Sequence, residues 1–130
     1  MVMGMSDVER APKAVLIVED DPEIRRLLHR VLTKQGYPVM EAPHGEAALE
    51  LLAGGVLPGV ILLDLYLPVM DGWEFRQAQL KDPRLASLPV VVISAAADVL
   101  IAPLDAEQVM KKPLDLPRLL QVVAGFCAPP

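Results

Sequence analysis

Short aliphatic runs recur along the chain at Ala14 to Val18, Val39 to Ala42, Val60 to Leu63 and Val90 to Ile93, with a weaker one around Val109 and Met110. None alternates polar with apolar positions, so the runs predict strands covered on both faces, as in a parallel sheet. The segments between them follow helical spacing. Ile24, Leu27, Leu28 and Val31 form one apolar stripe, with Asp21 placed to cap it, Pro22 at the first helical position and Gly36 as the stop. Glu46 to Ala53 predicts a second helix ended by Gly54-Gly55, and Gly72 to Leu80 a third ended by Asp82-Pro83. Leu116, Leu119, Leu120 and Val123 stripe a last helix from Leu116 to about Phe126. Five strands alternating with helices imply right-handed crossovers and an α/β fold with a doubly wound parallel sheet. Seventeen residues separate Ser94 from Lys112 and Pro103 lies among them, so the fourth connection allows only a short or irregular fourth helix.

At 130 residues, 53% of them hydrophobic and 22% charged, the chain suffices for one domain with a real core. Twelve Lys and Arg against 17 Asp and Glu leave a net charge of -5, which excludes a strongly basic nucleic-acid surface. The longest apolar stretch is broken by Pro58, Gly59 and Asp64, far short of the roughly 20 residues that cross a bilayer. Asp7, Glu9 and Arg10 interrupt any signal-peptide core, and the single Cys127 cannot form an internal disulfide. Residues 1–12 are therefore expected to be a flexible tail, 13–127 the folded domain and 128–130 a C-terminal tail, on a cytoplasmic protein with no membrane span.

In a doubly wound sheet the ligand site lies off the carboxyl ends of the strands. Four of the five strands end there in a functional side chain: Glu19 and Asp20 after the first, Asp64 after the third, Ser94 at the fourth and Lys112 after the fifth. An acidic residue after a strand is, taken singly, more often a cap or turn former. Capping needs alone do not bring three carboxylates, a hydroxyl and an ammonium to one edge. The carboxylates repel one another unless a cation lies between them, and oxygen-only ligands select a hard divalent ion such as Mg2+. An aspartate there can accept a phosphoryl group, with the metal, Lys112 and Ser94 neutralising the transferred oxygens.

Val15 to Pro22, Leu62 to Gly72, Pro89 to Ala95 and Lys112-Pro113 together resemble the receiver domain of two-component response regulators, from about Lys13 to Phe126. The resemblance implies the flavodoxin-like strand order 2-1-3-4-5 and makes Asp64 the phosphoacceptor. Asp20, Asp64 and the Tyr66 backbone carbonyl would bind Mg2+ directly and Glu19 through water, while Ser94 and Lys112 contact the phosphoryl group. It also implies a cis Lys112-Pro113 peptide. A bulky Tyr66 ring over the site is expected to slow self-dephosphorylation. The chain would then be a stand-alone signalling module rather than an enzyme, with a histidine kinase or phosphotransfer domain and an unknown downstream protein as partners, no nucleic acid, and a monomeric or weakly dimeric state.

Val109 stands where the family has Tyr or Phe. Valine has no ring to swing, so the family's hydroxyl-aromatic coupling is not carried over, and a readout nearer the first helix or the third-strand loop is expected. The same feature motivates an alternative, a receiver-like adaptor that needs no phosphorylation. A phosphatase of haloacid-dehalogenase type or a flavin carrier would need a different first loop from the acidic Glu19-Asp20-Asp21. Arg26, Arg30 and Lys34 form an i, i+4 stripe on the first helix, read as a solvated face and as a candidate contact for an acidic partner. Trp73 and Phe75 are read as core anchors of the third helix, His29 and His44 as lacking metal partners, and Cys127 as a small apolar filler.

Overall fold

The computed structural model describes residues 11–95 and 104–129. Its elements, in chain order, are β1 (Val15–Val18), α1 (Pro22–Lys34), β2 (Val39–Ala42), α2 (Gly45–Ala53), β3 (Val60–Leu63), α3 (Gly72–Lys81), β4 (Val90–Ser94), β5 (Gln108–Lys111) and α4 (Leu116–Cys127). All five strands pair in parallel in the order β2-β1-β3-β4-β5. The expected tail and the expected short fourth helix fall largely on residues 1–10 and 96–103, outside the described residues.

The absence of alternation in the aliphatic runs is explained by burial. Every residue of β1, β3 and β4 is buried, whereas the edge strands expose Glu41 on β2 and Lys111 on β5. Successive side chains of a strand enter opposite layers. Leu16, Val18, Ile61, Leu63 and Val92 pack with Ala48, Leu52 and Phe75 from α2 and α3. Val15, Ile17, Leu62, Val91 and Ile93 pack with Leu28, Leu32, Leu119 and Val123 from α1 and α4. Cys127 completes the second layer, fully buried and unpaired, and burial pushes its thiol up to about 11, so it is a neutral filler at physiological pH.

The helix boundaries follow their caps. Asp21 accepts from the Glu23 and Ile24 amides, and α1 stops at Gly36, whose φ of +94° suits glycine. His44 caps α2 through Nδ1, which accepts from the Ala47 amide. Asp71 and Glu74 form a reciprocal capping box at the start of α3. Phe75 is fully buried as expected of a core anchor, while Trp73 is half-buried, packing against the same layer. The strand order reverses between β1 and β3, so the crevice at which such sheets bind ligands lies between the carboxyl ends of those two strands.

Candidate functional site

Glu19 and Asp20 leave β1 and Asp64 leaves β3 on the two sides of that crevice. The ladder extends one step beyond the strands: the Glu19 amide donates to Ala42 O at 3.1 Å and the Asp64 amide to Val18 O at 3.0 Å, which fixes both backbones at the sheet edge. Glu19 is 3% exposed and Asp64 6%, while Asp20 is open to solvent. One carboxylate oxygen from each of the three lies within 4.8 Å of the others.

Asp64 is held from both sides. Its Oδ1 accepts from the backbone amides of Leu65 at 2.7 Å and Tyr66 at 3.4 Å, and its Oδ2 accepts from Lys112 Nζ at 3.2 Å. The same ammonium donates to Glu19 Oε1 at 2.8 Å, and Glu19 Oε2 accepts from the Asp21 amide at 3.2 Å. One lysine, reaching over from the end of β5, thus bridges two buried carboxylates carried on β1 and β3. The Lys112-Pro113 peptide that turns the chain there is cis, as expected. Ser94 ends β4 fully buried, and its carbonyl accepts from the Lys112 amide at 3.3 Å, so hydroxyl and ammonium arise from adjoining strand ends.

Burial pushes the Glu19 carboxyl above its ordinary value and the Asp64 charge adds to this, against the lowering effect of Lys112 and the Asp21 amide. For Lys112 burial acts downward, but the Glu19 hydrogen bond and the two carboxylate charges outweigh it, and the ammonium ends above its ordinary value. An ammonium raised in the folded state stabilises fully at neutral pH, and that stabilisation is lost only as pH rises through the raised value. Lys112→Met is accordingly expected to leave Glu19 and Asp64 repelling without compensation. Breaking a buried pair costs about 3–5 kcal/mol, but the Lys112 side chain is 22% exposed and solvent screens part of it, which brings the expected loss to about 2 kcal/mol. A divalent cation placed among these carboxylates would have more repulsion to relieve in the same variant, so a stabilisation by Mg2+ should be larger there than in wild type. Thermal melts with and without Mg2+ check both effects.

The loop after Asp64 turns tightly. The Met70 amide donates to Pro68 O at 2.6 Å across Val69, whose φ of 63° is a left-handed conformation that a β-branched residue adopts only under constraint. α3 then begins at Gly72, where a Cβ would lie 2.5 Å from Asp64 O and 2.7 Å from Leu65 Cα, so no larger residue fits without moving the backbone that carries Asp64. Tyr66 stands on this loop, 55% exposed, with its ring edge-on to Trp73, centroids 5.4 Å apart and planes at 70°. Val109 is half-buried and packs against the α2 and α3 layer.

Sequence reasoning missed two sets of residues. Arg25 donates from Nη1 to Glu19 O at 2.7 Å and Asp20 O at 3.3 Å, while its Nε faces Glu41 Oε1 at 3.5 Å. Arg76 and Gln79 are buried on α3 and bond to the chain entering β5 and to the turn before β4. Both arginines sit in helical stretches where arginine ordinarily marks a solvated face, so only the fold reveals them. Arg26, Arg30 and Lys34 are exposed, as expected of that stripe, and His29 bonds Glu41 at 2.9 Å.

Comparison with known proteins agrees with this geometry. The chain is 34% identical over 116 residues to the DNA-binding dual master transcriptional regulator RpaA of Synechocystis, covering 86% of this chain and 48% of that protein. It is 29% identical over 119 residues to the polar-differentiation response regulator DivK of Brucella anthropi, covering 88% of this chain and 96% of that protein. The chain therefore spans about half the length of the first relative and nearly all of the second. Among solved structures it resembles the phosphorylated cyanobacterial phytochrome response regulator RcpA (TM-score 0.75, 31% identity, 88% of this chain and 91% of that one). It likewise resembles the Mn2+-bound form of response regulator Rcp1 (TM-score 0.72, 29% identity, 88% and 91%). The family model of the response regulator receiver domain matches residues 15–124, which takes in every strand and each of the converging side chains. With that match over a sheet of order 2-1-3-4-5, the chain belongs to the receiver domain family of response regulators.

Proposed function

We propose that this receiver domain accepts a phosphoryl group on Asp64 in a Mg2+-dependent reaction and thereby switches protein contacts in a two-component phosphorelay. The observation that carries the reading is the single ammonium of Lys112 bridging Glu19 and Asp64, with the Asp20 carboxylate within 4.8 Å of both partners' oxygens. Donors that are all oxygen, two buried and one open to water, suit a hard divalent cation that keeps part of its hydration shell. Glu19, Asp20, Asp64 and the Tyr66 carbonyl would hold it. When bound, such an ion neutralises charge on the transferred oxygens and relieves the repulsion among the carboxylates.

The residues divide the remaining chemistry. Backbone amides fix Oδ1 of Asp64 and leave Oδ2, now bonded to Lys112, as the nucleophile. A new bond forms between that oxygen and phosphorus, while the bond from phosphorus to the donor breaks and its electron pair leaves with the donor. The Lys112 ammonium transfers its hydrogen bond to the phosphoryl oxygens, joined by the Ser94 hydroxyl. The Tyr66 ring shields the acyl phosphate from water. Drawing the Ser94 hydroxyl toward the phosphoryl group biases a pre-existing equilibrium. Val109 offers no ring to follow it, so the output surface differs from one built on an aromatic switch.

The phosphodonor is a histidine kinase or phosphotransfer domain. A cavity of about 290 Å³ lined by Ile24, Leu27, Pro113, Leu114 and Leu116, with Lys112 at its edge, lies between α1 and the start of α4. The exposed Arg26, Arg30 and Lys34 lie on the same helix, and the two features together suit a helix with an apolar edge and acidic flanks. The chain acts in the cytoplasm as a monomer or weak dimer. Among the described residues no helix is long and apolar enough to cross a membrane.

Intact mass after incubation with acetyl phosphate tests the reading. One added phosphoryl group is expected with Mg2+ and none with a chelator. No addition under either condition favours the phosphorylation-independent adaptor instead.

A further inference from the structure

We propose that Arg25 is the positioning residue of the acidic loop, holding the carbonyls of Glu19 and Asp20 out of the crevice so that their carboxylates are set for a divalent cation. The inference rests on the metal reading given above and extends it to a side chain that cannot itself bind the ion.

Arg25 belongs to the first turns of α1, with its amide donating to Asp21 O at 2.9 Å. Its Nη1 donates to Glu19 O at 2.7 Å and Asp20 O at 3.3 Å. In a planar trans peptide the carbonyl and the following amide point in opposite directions. Holding the Asp20 carbonyl on the arginine side therefore turns the Asp21 amide the other way, and that amide donates to Glu19 Oε2 at 3.2 Å. The guanidinium thus sets a peptide orientation whose far end fixes the Glu19 carboxylate. Glu41 on β2, opposite Ile17 of β1, steadies the guanidinium from Nε at 3.5 Å and is bonded in turn to His29 at 2.9 Å. Helix, acidic loop and edge strand are tied through one side chain.

A positive charge this close to a cation site opposes the cation by Coulomb repulsion, and this gives the proposal a clear sign. If only charge mattered, Arg25→Gln would tighten Mg2+ binding and Arg25→Lys would leave it unchanged. A positioning role predicts the reverse: both variants weaken binding, because neither glutamine nor lysine can hold the two carbonyls through one nitrogen while a second nitrogen of the same rigid plane meets Glu41. Outer partners of metal ligands are commonly worth about tenfold or more in affinity, and with the side chain partly exposed a weakening of about fivefold is expected here. The experiment is a thermal-stability titration of the whole chain with Mg2+, read as the half-saturating concentration and, separately, as stability without metal. A purely structural role lowers the second and leaves the first alone. Half-saturation raised in both variants supports the proposal. Glutamine binding as tightly as or more tightly than wild type, or lysine matching wild type, overturns it. A wild-type chain with no Mg2+ response overturns the metal reading and this inference together, whereas a wild-type response with unmoved variants removes only the role of Arg25.

Discussion

Asp64→Asn is expected to take up no phosphoryl group under conditions in which the wild-type chain is fully labelled by acetyl phosphate and Mg2+. The amide is neutral, and its oxygen lacks the negative charge that attacks phosphorus, while the change in volume is negligible. The backbone contacts remain available to the new side chain, since the Leu65 and Tyr66 amides can donate to its carbonyl oxygen as they do to Oδ1. The loss is thus chemical rather than a failure of folding, and an unchanged circular dichroism spectrum should accompany it. A second consequence follows from the place of Asp64 in the acidic cluster. Removing one of three neighbouring carboxylates lowers the charge available to a divalent cation, so the rise in melting temperature produced by Mg2+ should shrink in the variant. Label remaining in Asp64→Asn would place the acceptor elsewhere and end the assignment.

Arg76→Ala is expected to cause the largest loss of stability among single polar substitutions at the described residues. Arg76 is 4% exposed. Its Nε donates to Leu104 O at 2.8 Å, Nη2 to Asp105 O at 2.7 Å and Nη1 to Gln79 Oε1 at 2.8 Å. Gln79, fully buried, donates from Nε2 to Leu85 O and Leu88 O, both at 3.0 Å. Two side chains of α3 therefore satisfy the backbone of the turn that feeds β4 and of the segment that feeds β5, including Asp105 in its left-handed conformation at φ 49°. Burial lowers the Arg76 pKa and the nearby Asp105 and Glu107 charges raise it, with burial prevailing. Truncation to alanine strands these carbonyls without donors and opens a void, and losses of this kind sum to about 3–5 kcal/mol. Arg76→Lys retains the charge but cannot fork across Leu104 and Asp105, and should lose roughly half as much. Urea unfolding with an unchanged m-value measures both. An alanine variant within about 1 kcal/mol of wild type would show that water replaces the guanidinium at little cost.

The strands that read as unalternating aliphatic runs proved to be those buried on both faces, β1, β3 and β4. The weaker run around Val109 and Met110 is the edge strand β5, whereas Val39–Ala42, read with the strands covered on both faces, is the other edge strand and exposes Glu41, because it has a neighbour on only one side. Helix starts were legible because Asp21 and Pro22 act within three or four residues of their own position, and such local chemistry is written in adjacent letters of the sequence. The clustering of Glu19, Asp20, Asp64, Ser94 and Lys112 at one edge was also legible, because strand ends in a parallel sheet must fall on the same side.

The tertiary structure alone decided how those groups touch. Lys112 lies 93 residues from Glu19 and 48 from Asp64 in sequence, and no local signal distinguishes a lysine that bridges two carboxylates from one that merely follows a strand. Arg25 and Arg76 carry the same lesson, since a helical arginine reads as solvated until a backbone from elsewhere in the chain presents its carbonyls to it. Sequence by itself determined the alternation of elements, their caps and the edge at which the charged and polar groups gather, because these depend on periodicity and near neighbours. The pairing of charges and the burial of polar side chains depend on distances between remote segments, which exist only once the sheet has closed its two layers.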